Sequence, residues 1–224
     1  MEIRQIAYIR NDFSGKFGIP RQSGLVSTLT SEIVFLPEYR NPDALRGIEQ
    51  YTHLWLIWEF SEARRDGWTP TVRPPRLGGN TRMGVFATRS PYRPNPLGLS
   101  AVKILGTEMT RDGTIIKVSG ADLLNGTPIY DIKPYLQYVD SIPNASNGFA
   151  LATADDILSV DIPEKLLIKI PEDKRSGLRD VLAQDPRPQY QHEPERVYTM
   201  SFGEAEVSFT VDGDVLTVTD IYNR

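Results

Sequence analysis

The chain has 224 residues, 40% of them hydrophobic, a net charge of −4, and no cysteine. That length fits one large domain or one domain with a small appendix, with enough apolar residues for a core. Disulfides, thiolate metal sites and cysteine nucleophiles are excluded. The first residues, MEIRQIAYIRNDF, carry charges where a signal peptide needs an apolar run, and no stretch reaches membrane-spanning length. The expectation is a soluble cytoplasmic protein with no membrane partner.

Weak alternation over residues 3–9 reads as a strand, and residues 32–36 as a second. Asn41 and Pro42 open one helical turn that Gly47 stops. Residues 52–60, THLWLIWEF, are apolar on both faces, as in a buried strand. Residues 84–88 and 99–107 read as further strands. Asp112-Gly113 then turns the chain into residues 115–119. Residues 129–135, IYDIKPY, form a strand that ends near Pro134. Short strands and tight turns predict a mainly β fold, a β-barrel-type domain over residues 1–140.

Residues 141–156 are rich in Pro, Asn, Ser, Gly and Ala and read as a linker. Residues 157–224 read as a small α+β C-terminal domain. Within it, 164–170 is expected as a strand and 172–183 as a helix with Leu178, Val181 and Leu182 on one side. Residues 196–202 and 206–221 are expected as strands, with a hairpin turn at Asp212-Gly213.

Charge is unevenly spread. Residues 64–103 hold eight basic residues and one acid, a net of +7, which leaves −11 for the rest. One face can therefore attract a polyanion although the whole chain is acidic. Inside this segment, RLGGNTRMGVFATRSPYRPNPLGLS (76–100) combines arginine, glycine and proline. Arginine presents a planar fork to carboxylate or phosphate, glycine admits a ligand to the backbone, and proline fixes loop shape. Together they predict a rigid site for an anionic or nucleotide-like ligand. The phosphate-loop and G-x-G-x-x-G signatures are absent, so a Rossmann cofactor site is not expected. Only two histidines occur. His53 reads as a hydrogen-bonded core residue and His192 as solvated, and no spacing suggests a metal.

Two further segments stand out. GIPRQSG (18–24) is a polar turn carrying Arg21 and Gln22. In DLLNGTPIYDIKPY (122–135), Asn125-Gly126 is a tight turn, and Asp131, Lys133 and Tyr135 alternate along one strand face. That face is either a pocket wall or a solvated strand.

PRQSG, EQYTHLWL, RPPRLGGNTRMGVFATRSPYRPNPLGLS, DLLNGTPIYDIKPYL and LAQDPRPQY together resemble the TrmO (TsaA- or YaeB-like) family of S-adenosylmethionine-dependent tRNA adenosine N6-methyltransferases. LAQDPRPQY is similar to the bacterial branch, which carries a C-terminal domain. The resemblance implies a non-Rossmann β-barrel methyltransferase domain. It also implies a homodimer with cofactor sites near the subunit interface, and methylation of threonylcarbamoyladenosine beside the anticodon. For S-adenosyl-L-methionine it implies Gln22, Glu62, Arg89, Leu99 and the turn Gly126, Thr127, Pro128 and Ile129. Arg93 joins Arg89 as an alternative carboxylate holder, and Asp122 and Asp131 are alternatives for the ammonium or sulfonium. Leu99 and Ile129 are expected to cover the adenine. The expected catalytic base is Asp131, with Lys133 and Tyr135 shaping the base pocket and Asn95 as a second candidate by analogy. Arg64, Arg65, Arg73, Arg76, Arg82, Tyr92, Arg187 and Tyr190 are expected to hold the tRNA anticodon loop. Competing readings are a methyltransferase of another substrate and a non-enzymatic RNA-binding barrel.

Overall fold

The computed structural model describes residues 2–63, 67–74, 77, 80–153, 157–187 and 193–223, with backbone only at 151–153. In chain order, β1 is Ala7–Arg10, β2 Thr30–Phe35, β3 His53–Glu59, β4 Thr71–Val72, β5 Met83–Gly84, β6 Leu97–Thr110, β7 Gly113–Ser119 and β8 Pro128–Pro134. After the short helix α1 (Gln137–Asp140) come β9 (Ser159–Asp161), α2 (Glu164–Leu167), α3 (Glu172–Ala183), β10 (Tyr198–Phe202), β11 (Ala205–Asp212) and β12 (Val215–Asn223). The mainly β reading and the separate C-terminal sheet are both found.

Six strands pair in the order β1-β2-β7-β6-β3-β8, and β8 returns to β1, so the sheet closes on itself. Alternate residues point inward along each strand. Ile9, Ile33, Leu54, Leu56, Val102, Ile116, Val118 and Ile129 are all almost fully buried there. On β6 the inward set includes Ser100 and Val102, while Leu97 and Leu99 face outward and are exposed. A bulge between Ile57 and Trp58 leaves Tyr130 unpaired with β3. It turns that side chain toward Glu59, whose buried carboxylate accepts the Tyr130 hydroxyl.

The second sheet runs β10-β11-β12-β9, with α3 packed near β9. Its core is not built from the C-terminal residues alone. Phe13, Val26 and Leu29, between β1 and β2, are buried in the same cluster as Leu178, Val181, Phe209 and Leu216. A Cβ on Gly177 would sit 2.1 Å from Leu29 Cδ2, so this helix position must be glycine for the leucine to seat. Lys174 pairs with Asp12 at 2.6 Å, and Thr28 donates to Asp180 at 2.6 Å. The segment between β1 and β2 is thus held by the C-terminal unit.

Two local expectations are corrected. Residues 164–170 open with α2, not a strand. Pro163 stands at its N-cap and Pro171 follows the run; Leu166 is the buried residue of α2, and Ile170, also buried, lies past its end. Residues 84–88 hold only the end of β5 followed by a 3₁₀ turn, Val85–Ala87, because Val85 alone of that run is buried. The expected helix 172–183 and the β11–β12 hairpin are found as read.

Candidate functional site

The Arg/Gly/Pro segment is tied down by its own side chains. Val85 is a buried peg, and Thr88 Oγ1 donates to its carbonyl at 2.9 Å. Arg93 Nη1 donates to the Thr88 carbonyl at 3.1 Å, so Arg93 is spent in part on loop shape. Leu97 N–H donates to the Asn95 carbonyl at 2.7 Å, and Phe60 N–H to the Pro96 carbonyl at 2.9 Å, which fastens Arg-Pro-Asn-Pro to the end of β3. The segment is therefore shaped before anything binds.

Arg89 is exposed and points back to the 18–24 turn, where its guanidinium donates to Gln22 Oε1. Gln22 Nε2 in turn donates to the Arg21 carbonyl at 2.5 Å. The neighbouring Ser23 N–H donates to the Asp122 carboxylate. Asp122 also accepts Ser100 Oγ at 2.6 Å, and Ser100 accepts Trp58 Nε1 at 2.9 Å. The indole lies where a Cβ on Gly98 would be, 2.3 Å from Trp58 Cε2. Gly98 thus lets Trp58 lie flat and aim its N–H at Ser100.

Burial pushes the Asp122 carboxyl above the usual carboxylate range. The Ser100 hydrogen bond, its own backbone N–H, the Arg89 charge and Ser23 N–H oppose this without cancelling it. A desolvated carboxylate with its charge only partly compensated gains from an arriving cation. Arg89 meanwhile faces a neutral amide. Gln22, Arg89 and Asp122 therefore form a corner with one acid and one guanidinium, suited to a zwitterionic amino-acid group.

The remaining candidates lie elsewhere. Leu99, Ile57 and Asp131 are cross-strand neighbours, as are Ala101, Trp55 and Lys133. Both rows face outward. Asp131 Oδ2 meets Lys133 Nζ at 3.1 Å, and its Oδ1 accepts the Ile132 N–H at 2.9 Å. Tyr135 packs against Trp55, ring centroids 5.3 Å apart. Half-buried His53 meets Thr52 Oγ1 through Nδ1. Asn95 is exposed at the loop tip.

The 124–127 turn is consumed largely by the fold. Gly126, at φ 83°, donates to the Ile9 carbonyl at 2.8 Å, and Thr127 N–H donates to the Leu124 carbonyl. Pro128 pairs opposite Tyr8. Ile129 is fully buried in the barrel core, which corrects the expectation that its side chain covers a ligand. Glu62 is exposed, and its carboxylate meets Lys16 at 3.5 Å. Arg187 is a second correction. It is 8% exposed and clamped by Asp185 through Nε (2.8 Å) and Nη2 (3.0 Å), so it offers no free fork to RNA.

Arg73, Arg82 and Tyr92 are exposed on the basic segment. Trp68 and Phe86, which sequence reasoning passed over, are exposed beside them with ring centroids 5.9 Å apart. Arg64, Arg65, Arg76, Tyr190 and His192 lie outside the described residues. Among the described residues no cluster of three or more His, Asp or Glu is placed to hold a metal. No described helix is long and apolar enough to cross a membrane.

Ser100, Ser23 and Trp58 also escaped sequence reasoning. A tryptophan in an apolar strand signals a polar partner for its N–H, but not which one.

A closed β sheet thus carries a buried acid, a guanidinium and a basic loop at one corner. The family follows from comparison. Residues 8–141 match the model of the tRNA-methyltransferase O N-terminal domain, and residues 158–224 match the TrmO C-terminal domain. The chain belongs to the TrmO family.

It is 44% identical over 197 residues to the "tRNA (adenine(37)-N6)-methyltransferase" of Escherichia coli strain K12, covering 84% of this chain and 83% of that protein. A "Probable S-adenosyl-L-methionine-binding protein" of Archaeoglobus fulgidus is 42% identical over 149 residues, 66% of this chain and 38% of that one. The crystal structure of TrmO from Pseudomonas aeruginosa superposes with a TM-score of 0.80 at 32% identity, covering 100% of this chain and 99% of that one.

Proposed function

We propose that this chain methylates N6 of adenosine 37 in tRNA, with S-adenosyl-L-methionine as donor and the threonylcarbamoyl form of that adenosine as substrate. The observation that carries this is the Arg89–Gln22–Asp122 corner, built from three of the segments that place the chain in its family. The fit to the cofactor is chemical. Its amino-acid end is a zwitterion, and the corner offers a guanidinium for the carboxylate and a buried, under-compensated carboxylate for positive charge.

When bound, the cofactor supplies a methyl group on a positive sulfur. The residues of the chain supply position and a proton acceptor. Arg89 and Gln22 hold the carboxylate end, Asp122 takes the ammonium, and outward-facing Leu99 offers an apolar surface to the adenine. Asp131 accepts the N6 proton, with Lys133 holding its second oxygen and Tyr135 bordering the base. Asn95, at the tip of the rigid loop, orients the amino group. Fixing these groups at attack distance supplies up to ~7–11 kcal/mol.

Two features support a homodimer. Asp122 is reached through inward-facing Ser100, whereas Leu99 and Asp131 face outward. One ligand meets both sets when a second copy contributes the outer row. The exposed Leu97, Leu99, Leu105 and Met109 along β6 also form an apolar stripe suited to burial against a partner.

The tRNA meets the basic segment. Arg73 and Arg82 contact phosphate, and Tyr92, Trp68 and Phe86 offer rings on which splayed bases stack. Arg64, Arg65, Arg76 and Tyr190 belong to the same proposal by sequence. The test is mass spectrometry of tRNA nucleosides after incubation with labelled S-adenosyl-L-methionine. A single label on N6 of threonylcarbamoyladenosine is expected; label on another nucleoside, or none, contradicts the proposal.

A further inference from the structure

We infer that the turn after α3 is a positioning clamp for the cofactor loop, and that Arg21 transmits it. The inference rests on the reading that Gln22 and Arg89 hold S-adenosyl-L-methionine.

The helix α3 ends at Ala183 with Gln184 as its C-cap. The following position usually takes glycine, because the backbone there turns left-handed. Here it is Asp185, at φ 46°, alone among the described non-glycine residues with positive φ. Such strain persists where the surroundings hold it. The holding groups are visible: Asp185 Oδ1 accepts Arg187 N–H at 3.2 Å, and both carboxylate oxygens grip the buried Arg187 guanidinium.

The strained turn presents two carbonyl oxygens to one guanidinium. Arg21 Nη2 donates to the Asp185 carbonyl at 2.8 Å and to the Arg187 carbonyl at 3.3 Å. The bond spans 164 positions of sequence. Arg21 lines a cleft of about 200 Å³ between the 16–21 segment and the end of α3, and its guanidinium reaches the far side.

Everything downstream of Arg21 belongs to the site. Its carbonyl accepts from Gln22 Nε2, Gln22 meets Arg89, and Ser23 N–H donates to Asp122. Gly24 N–H donates to the Gly120 carbonyl at 2.9 Å. Residues 21–24 are therefore pinned on one side by the barrel and on the other by the C-terminal turn. Releasing the C-terminal side leaves the loop to be ordered by the ligand, and that ordering is charged against affinity. A C-terminal motif that contacts no ligand atom thus sets how well the cofactor binds.

The test compares Arg21→Met, Arg21→Lys and Arg89→Ala as full-length proteins. It reads S-adenosyl-L-methionine affinity by calorimetry, tRNA affinity, and amide hydrogen exchange at residues 22–24 without ligand. Arg21→Met should weaken the cofactor about tenfold. It should also speed exchange at Ser23 and Gly24, and leave tRNA affinity unchanged. Arg21→Lys, which can still donate to both carbonyls, should restore most of the loss.

If Arg89→Ala loses the cofactor while Arg21→Met binds and exchanges like the parent, the clamp is overturned and the site stands. Parental affinity in both variants overturns the site reading and the clamp with it. If Arg21→Met does not fold, Asp185→Gly asks the same question. It relieves the left-handed strain but removes the grip on Arg187. Weaker cofactor binding in that variant supports the clamp, and unchanged binding overturns it.

Discussion

The Asp122 corner and the Asp131 row both set a carboxylate near a cation, yet they behave differently. Asp122 is withdrawn from water, held by Ser100 and Ser23, and raised by burial toward its neutral form. Asp131 lies on an outer strand face, paired with Lys133, with side chains 47% and 63% exposed. In the first, low dielectric makes charge costly and an incoming cation valuable. In the second, solvent screens the pair, so its contribution to stability is at most about 1 kcal/mol. The first arrangement suits holding a ligand, the second accepting a proton from an incoming base.

Substitutions break or sharpen this contrast. The largest expected effect is at the outer row. Asp131→Asn should lower the single-turnover methyl-transfer rate by about 10²-fold or more, with cofactor affinity unchanged. An unchanged rate removes Asp131 as the base. Asp122→Asn should do the reverse, weakening S-adenosyl-L-methionine about 10- to 100-fold in a calorimetric titration. The same variant should melt at a higher temperature than the parent at pH 7. A carboxyl raised in the folded state favours folding only while protonated, and that favour is lost as pH climbs through its folded value. The neutral amide keeps it.

Cofactor affinity should follow the opposite sense of pH. As pH falls through the raised Asp122 value the carboxylate is neutralised and the cation loses its partner. The parent should then bind more weakly in acid, and Asp122→Asn should show a flatter profile. Gly98→Ala sharpens the comparison from below, because the new methyl must displace Trp58 from Ser100 and so disturb Asp122 without touching it. A loss of about 1–3 kcal/mol in urea unfolding is expected. The smallest effects belong to the basic segment, where Arg73→Ala and Arg82→Ala should each reduce the salt slope of tRNA binding by about one.

Much of this was legible in the sequence wherever local rules decide. Gly126 sits in the left-handed turn read from Asn-Gly, and α3 spans the residues its apolar spacing marked. The loop carrying Arg89 and Arg93 was visible as a rigid, charged segment from composition alone. Its internal ties, such as Arg93 to Thr88, were not. What escaped depends on long-range packing. Residues 164–170 are apolar enough to pass for a strand, yet 164–167 coil as α2 with Leu166 inward. Arg187 looks like a phosphate ligand until Asp185, two residues away, is seen gripping it. Phe13, Val26 and Leu29 lie between β1 and β2 in sequence, yet they are buried with residues of the C-terminal sheet and α3, a pairing no local rule announces.

Where the cofactor sits is tested directly by one crystal structure of the protein soaked with S-adenosyl-L-methionine. The amino-acid end is expected between Arg89 and Asp122, with Gln22 drawn onto the carboxylate. Density for the ligand at another place, with Arg89 still on Gln22 and Asp122 still held by Ser100 and Ser23 alone, would contradict this placement.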